Sequence, residues 1–165
     1  MRGYLTSTYL VALGSNRRHH RFGVPRDIVS AAMEELAALG TVRARSPVIV
    51  TAPVGPSQRR YANAVLLLET ELDPPALMSA LHRAEHEFGR RRWRHWGDRA
   101  LDLDIVLWSE GAFVSAAVTI PHPLYRARAF VLEPAAVVAP GWRDPQSGLT
   151  VRQAKARLTR KRPLP

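Results

Sequence analysis

The residues whose types and spacing point most directly to chemistry are two aspartates in an apolar segment, Asp102 and Asp104, which alternate with Leu101, Leu103 and Ile105. A β-strand points alternate side chains to opposite faces, so both carboxylates would share one face. Neighbouring carboxylates repel each other and are costly to desolvate unless a cation neutralises them. Since carboxylate oxygens suit Mg²⁺, the segment predicts a Mg²⁺ site. The alternative is an edge strand with one solvated face, which gives the same alternation.

A basic and aromatic segment, residues 90–99, leads directly into the two aspartates and contains five arginines and two tryptophans. Guanidinium groups bind phosphate oxygens in bidentate fashion, and indole faces stack on bases or on arginine. Carboxylates for a metal and arginines for phosphates are the groups that phosphoryl transfer requires. The combination predicts a site for a nucleoside triphosphate with Mg²⁺.

Length and composition indicate a single domain over residues 1–165, with flexible termini at 1–8 and 156–165. The chain is 46% hydrophobic and has no cysteine, which excludes disulfides and thiolate metal sites. We expect a cytoplasmic enzyme, because the start is too polar for a signal peptide and no apolar run is long enough to span a membrane. The net charge of +10 comes almost wholly from arginine, since Lys155 and Lys161 are the only lysines, and it favours polyanionic ligands.

The hydrophobic periodicity and the turn residues predict the order of elements. In chain order these are a strand over 9–13, a helix from Pro25 that ends before Gly40, strands over 42–51 and 61–72, a helix capped by Asp73 that runs to Gly89, and the aspartate strand.

The order βαββαβ predicts an α+β fold of the ferredoxin-like kind, in which helices cover one face of an antiparallel sheet. C-terminal additions follow it. They comprise a ribbon near residues 112–120, a corner at 121–123, a helical piece around 129–138, and a terminal helix with the capping-box spacing of Thr150 and Gln153.

Four motifs carry a resemblance to a known family. They are Leu13-Gly14-Ser15-Asn16, Tyr61-Ala62-Asn63-Ala64, Trp96-Gly97-Asp98-Arg99-Ala100-Leu101-Asp102-Leu103-Asp104-Ile105, and Ile120-Pro121-His122-Pro123 with Arg128-Ala129-Phe130-Val131-Leu132. In order and spacing the chain resembles the 6-hydroxymethyl-7,8-dihydropterin pyrophosphokinases of folate biosynthesis, from about residue 9 to 155. The resemblance implies transfer of pyrophosphate from ATP to the pterin hydroxymethyl group, with release of AMP.

The resemblance also implies the residues on the ATP side. Asp102 and Asp104 would hold two Mg²⁺ ions, and Arg90 and Arg92 would be catalytic loop arginines, with Arg91 and Arg94 as alternatives for the second. The ATP contacts that it implies are His82, Glu85, Arg92, Trp96, Arg99, Ile105, His122 and Arg128.

On the pterin side, the resemblance implies contacts from Thr51, Val54, Tyr61, Asn63, Trp96 and Phe130. Tyr61 and Phe130 would stack on the two faces of the ring, and the Asn63 amide would supply a donor and an acceptor to its edge. Without the family, both aromatics would be interpreted as core residues. The expected partners are these small molecules alone, with no nucleic acid and no membrane, and the expected state is a monomer.

Two other functions are open from the residues. His82, Glu85 and His86 fit the H-x-x-E-H pattern of inverted zinc peptidases, with both histidines one helical turn apart. The ferredoxin-like order and the basic charge also fit an RNA-binding module, although the sequence does not contain the full eight-residue motif of such modules, which begins Lys/Arg-Gly-Phe/Tyr.

Overall fold

The structure is a computed structural model that describes residues 5–16, 23–51, 60–89 and 100–160. The strands are β1 (Ser7–Ser15), β2 (Thr41–Arg45), β3 (Ile49–Thr51), β4 (Tyr61–Thr70), β5 (Asp102–Trp108), β6 (Phe113–Val114) and β7 (Thr119–Ile120). The α-helices are α1 (Pro25–Leu36), α2 (Pro74–Glu87), α3 (Ala129–Val138) and α4 (Val151–Thr159), and short 3₁₀ helices cover Ala37–Leu39 and Tyr125–Ala127.

An antiparallel sheet with the order β2-β4-β1-β5 forms the centre, and β3 also pairs with β4. β1 pairs with β4 from Ser7 opposite Thr70 to Ser15 opposite Ala62 without a shift in register. β6 and β7 form a separate two-stranded ribbon. With β2 and β3 taken as one interrupted strand, this order is ferredoxin-like, as the sequence predicts.

Each face of the sheet carries its own hydrophobic core. α1 and α2 pack on the face that presents Tyr9, Val11 and Leu13 of β1. α3 and α4 pack on the other face, over Leu10 and Ala12. The C-terminal additions therefore form a second helical layer, which extends the arrangement expected from the first six elements.

Local signals predict several boundaries correctly. α3 has the predicted bounds, Asp73 accepts a hydrogen bond from Ala76 N at 2.9 Å, and Thr150 with Gln153 forms the capping box of α4. β1 and α4 extend into the segments predicted to be flexible termini: Ser7 Oγ accepts a hydrogen bond from the Trp108 indole at 2.9 Å, and α4 runs to Thr159. Residues 1–4 and 161–165 of those segments lie outside the described residues.

The single strand predicted over 42–51 is wrong, because the chain leaves regular pairing at Ser46. There the backbone N of Ser46 donates to Val65 O, and the Ser46 hydroxyl oxygen accepts from Val65 N, both at 2.9 Å. The side chain thus takes the place of a ladder partner and separates β2 from β3.

No helix among the described residues is long and apolar enough to cross a membrane.

Ser46→Ala is expected to lower the free energy of unfolding by about 1–3 kcal/mol, because it leaves the buried Val65 N–H without its acceptor. Urea unfolding monitored by circular dichroism measures this. Ser30→Ala, at an exposed position of α1, is the matched control and should change stability by less than about 0.5 kcal/mol. Equal effects of the two substitutions would contradict the role assigned to the Ser46 hydroxyl.

Candidate active site

The two aspartates lie on β5, at the edge of the sheet, and share one face as predicted. Leu103 and Ile105 point to the opposite face and are buried in the core under α1 and α2. Asp102 is exposed and the Asp104 side chain is 41% exposed, so the pair is hydrated rather than buried. The cost of desolvating the two carboxylates is therefore smaller than the sequence predicts.

Two groups bind the outer edge of β5 and bring further predicted site residues to it. Glu85 of α2, which is buried, accepts a hydrogen bond from Leu103 N through Oε1 at 3.4 Å. Beyond the cis Ile120–Pro121 bond, the backbone N of His122 donates to Val106 O at 3.0 Å. The free side of the aspartate strand is thus covered by residues that the sequence placed near ATP.

Arg128 and His122 face Asp104. Arg128 Nη1 and His122 Nε2 each lie 3.8 Å from Asp104 Oδ2, which is too long for a hydrogen bond, and the contact with Arg128 joins opposite charges. His122 Nδ1 accepts a hydrogen bond from Leu124 N at 3.1 Å, so in the neutral ring the proton is on Nε2, toward Asp104. Burial lowers the pKa of His122, Asp104 partly opposes this, and Arg128 adds to it.

A row of paired residues crosses the sheet at one end of the face that carries α3 and α4. The row lies beyond the hydrophobic core that these helices cover. Gly14 of β1 lies opposite Asn63 of β4 on one side and opposite Asp102 of β5 on the other. Paired residues share a face, so the Asn63 amide and the Asp102 carboxylate flank a position without a side chain. A Cβ at Gly14 would lie 3.0 Å from Asn63 Oδ1, which shows that the amide leans over the glycine.

The two aromatics of the predicted pterin site are exposed. Tyr61, the first residue of β4, is 38% exposed, and Phe130, in the first turn of α3, is 43% exposed. Their interpretation as core residues is therefore wrong. Thr51 pairs with Tyr61, its hydroxyl lying 3.5 Å from Tyr61 O, and the Arg128 guanidinium lies 5.7 Å from the centre of the Phe130 ring.

The remaining predicted site residues differ in placement. His82 is exposed on α2, whereas the Ile105 side chain is buried on the face opposite the aspartates, which leaves only its backbone for a nucleotide contact. The predictions for Val54, Arg90, Arg92, Trp96 and Arg99 lie outside the described residues.

The donor set fits Mg²⁺ better than zinc. In residues 5–16, 23–51, 60–89 and 100–160, no three His, Cys, Asp or Glu side chains are grouped so that they could hold a metal ion. His82, Glu85 and His86 therefore do not form such a group. Two carboxylates on one face match the habit of Mg²⁺, which takes one or two protein carboxylates and completes its shell with water and phosphates.

An RNA-binding surface of the usual kind is not formed by the described strands. In such modules the central strands present exposed aromatics to bases. Here Leu10, Ala12 and Val65 on the corresponding face are buried under α3 and α4, and Tyr9 is buried on the other face.

Comparison with known proteins decides the family. The model of the family 7,8-dihydro-6-hydroxymethylpterin-pyrophosphokinase (HPPK) matches residues 10–140. The chain belongs to the HPPK family. The match contains most of β1, the aspartate strand and the whole of α3, so the predicted site lies within the part of the chain that the family shares.

Curated relatives named 2-amino-4-hydroxy-6-hydroxymethyldihydropteridine pyrophosphokinase support the assignment. The protein of Pseudomonas aeruginosa is 42% identical over 138 residues, covering 82% of each chain. That of Methylorubrum extorquens is 39% identical over 158 residues, covering 93% of this chain and 94% of the relative. That of Synechocystis is 38% identical over 146 residues, covering 87% of this chain and 72% of the relative.

Among solved structures, the fold matches Plasmodium falciparum HPPK-DHPS with a TM-score of 0.68 at 11% identity. The match covers 93% of this chain and 44% of that chain, so this chain spans less than half the length of the Plasmodium protein. At this identity the likeness supports the HPPK fold alone.

Sequence reasoning missed two residues that shape the site. In the sequence Gly14 is only one residue of a motif, yet its missing side chain makes room for the Asn63 amide. Asp144, which is 1% exposed, belongs to none of the motifs, although it accepts hydrogen bonds from the segment that precedes Arg128. Asp144-Pro145 followed by Gly148 signals a turn, but no local signal indicates its distant partner.

Gly14→Ala is expected to displace the Asn63 side chain by a few tenths of an ångström or to switch its rotamer, because the new methyl group would lie 3.0 Å from Oδ1. Crystal structures and the NMR signals of the Asn63 side-chain amide measure the displacement. Gly141→Ala is the control, since its Cβ would meet nothing within 4 Å. An unmoved Asn63 in Gly14→Ala would refute the contact.

Proposed function

We propose that this chain transfers the pyrophosphoryl group of ATP to 6-hydroxymethyl-7,8-dihydropterin, releasing AMP. Membership of the HPPK family carries the proposal. The cross-strand row supports it independently, because one face offers an amide for a heterocycle and a carboxylate for a metal on either side of Gly14. The two substrates would meet above this glycine.

The pterin half of the site is proposed to lie at the β4 side of the row. The exposed faces of Tyr61 and Phe130 are suited to stacking on a flat ring, and the Asn63 amide can both donate to and accept from its edge. Thr51 lies next to Tyr61 in the register. Val54 and Trp96 complete this half by family correspondence.

The nucleotide half is proposed to lie at the β5 side. Asp102 and Asp104 would hold two Mg²⁺ ions, and Arg128 and His122, which face Asp104 at 3.8 Å, would contact phosphate oxygens. When bound, Mg²⁺ neutralises phosphate charge and orients the phosphates. Family correspondence adds His82, Glu85, Arg99 and the Ile105 backbone.

Catalysis would rest on positioning and on charge stabilisation. The pterin hydroxymethyl oxygen attacks the β-phosphorus of ATP, the bond from that phosphorus to the oxygen of AMP breaks, and the hydroxyl proton passes to solvent. No protein nucleophile is required, so the task of the chain is to hold both substrates in line and to exclude water. Arg90 and Arg92 are proposed to contact the phosphates as negative charge redistributes toward the leaving group.

AMP formation from ATP and Mg²⁺, with and without the pterin, tests the reaction. We expect pterin-dependent AMP release that falls more than about 100-fold in Asp102→Asn and in Asp104→Asn, because outer-shell partners of a metal alone typically contribute 10- to 100-fold. Asp27→Asn, an exposed acid of α1, should keep wild-type activity. A folded chain that binds ATP and releases no AMP with the pterin would refute the function.

Arg92→Ala is expected to lower kcat by about 10³-fold or more with little change in either KM, since arginines supplied to phosphoryl-transfer transition states typically contribute 10³ to 10⁵. Arg91→Ala and Arg94→Ala, measured by the same steady-state assay, are the matched comparisons. A large loss of kcat in one of them, with normal turnover in Arg92→Ala, would assign the second loop arginine to that position instead.

A further inference from the structure

A buried carboxylate outside the family match joins the C-terminal helix region to the ATP side of the site. Asp144 is 1% exposed and lies in the turn between α3 and α4. Its Oδ2 accepts hydrogen bonds from the Tyr125 hydroxyl and from Arg126 Nε, the latter at 2.5 Å. Its Oδ1 accepts from the backbone N of Gln146 at 2.8 Å and of Ser147 at 3.2 Å.

These partners require an ionised carboxylate. All four are donors, two on each oxygen, and a carboxylate is the side chain that offers acceptors on both sides. Burial would raise the pKa of Asp144, but the bonds from Arg126, Tyr125 and the two backbone amides outweigh it and hold the pKa well below its usual range. An asparagine in either orientation would turn its NH₂ group toward two donors.

Asp144 binds the segment between His122 and Arg128, the two residues whose side chains face Asp104. Tyr125 and Arg126 lie in the 3₁₀ helix that ends immediately before Arg128, whose backbone N donates to Tyr125 O at 3.1 Å. In the other direction, Tyr125 N donates to His122 O at 3.3 Å. A short backbone path therefore connects Asp144 to both Arg128 and His122.

We propose that Asp144 is a positioning residue for the ATP side, which fixes the 3₁₀ helix so that Arg128 and His122 face Asp104. This inference rests on the proposed function. Its basis is the hydrogen-bond geometry around Asp144 together with the 3.8 Å distances at Asp104. Among the described residues, the side-chain hydrogen bonds of Asp144 go to Tyr125, Arg126, Gln146 and Ser147, which are not predicted substrate-binding residues, so it acts through the backbone of residues 122–128.

The arrangement separates the ATP contacts from the pterin contacts on β4, although Phe130, a further proposed pterin contact, follows Arg128 by two residues. Asn63 and Tyr61 lie on β4, whose position is set by pairing with β1 and β3. Loosening the 3₁₀ helix would thus disturb Arg128 and His122 before it disturbs those pterin contacts. A role for Asp144 in overall stability alone would affect both substrates alike.

Steady-state kinetics of Asp144→Asn at a temperature well below every unfolding midpoint test the proposal. We expect kcat/KM for ATP to fall about 10- to 100-fold, mainly through a higher KM for ATP, while the KM for the pterin stays within about 2-fold, because small misplacements of positioning groups have effects of this size. Tyr125→Phe removes one of the four bonds and should give a smaller loss in the same direction. Tyr125→Phe also provides the test on its own if Asp144→Asn does not fold.

Val29→Ala is the control for stability, because it removes a buried side chain from the core under α1 and α2. It should lower the unfolding midpoint without changing the ratio of the KM for ATP to the KM for the pterin. The positioning role would be overturned if Asp144→Asn and Tyr125→Phe changed the KM for ATP and the KM for the pterin equally. It would also be overturned if their kinetic effects matched those of Val29→Ala.

Calorimetric titration with α,β-methylene ATP and Mg²⁺ separates this inference from the proposed function. If the wild-type chain releases no AMP, the proposed reaction fails, yet weaker analogue binding in Asp144→Asn than in Val29→Ala still supports the positioning role. Equal binding by the two variants overturns it, and so does a wild-type chain that does not bind the analogue.

Discussion

The register of β1 against β4 is the constraint on which the rest of the structure depends. The two strands pair continuously from Ser7 with Thr70 to Ser15 with Ala62. A slip by one residue would exchange the faces of every side chain on a strand, moving Val11 and Leu13 out of the core under α1 and α2. The same slip would remove Gly14 from beside Asn63. The hydrophobic pattern that stabilises the sheet therefore also specifies the row on which the site is built.

β5 extends this constraint to the metal ligands and creates an edge that has to be covered. Unpaired strand edges favour association with other chains, and proteins protect them with helices, loops or charged side chains. Here Glu85 binds Leu103 N and the backbone of His122 binds Val106 O, so α2 and the 121–123 corner share the protection. Both contacts also bring predicted ATP-side residues to the aspartate strand. Edge protection and assembly of the site are thus achieved by the same hydrogen bonds.

The sequence predicts the features that depend on residues close together along the chain. The alternation of Asp102 and Asp104, the caps at Asp73 and Thr150 and the bounds of α3 are all encoded within a few residues, and the structure confirms them. What it does not predict depends on partners distant along the chain. The break at Ser46 needs Val65, the role of Gly14 needs Asn63, and the environment of Asp144 needs Tyr125. Roles at Arg90, Arg92, Trp96 and Arg99 stay predictions.

The two halves of the site differ in what holds them. Asn63 belongs to a central strand and is paired on both sides, with Gly14 and with Ile49, while Tyr61, at the end of the same strand, is paired with Thr51. Arg128 and His122 belong to an irregular segment, where one ionised carboxylate substitutes for a ladder of hydrogen bonds. Since the pKa of Asp144 is lowered, its contribution to stability is complete above the unfolded value of about 3.9 and is lost only as the pH falls toward the folded value. Near neutral pH the support that Asp144 gives to the ATP side is therefore constant.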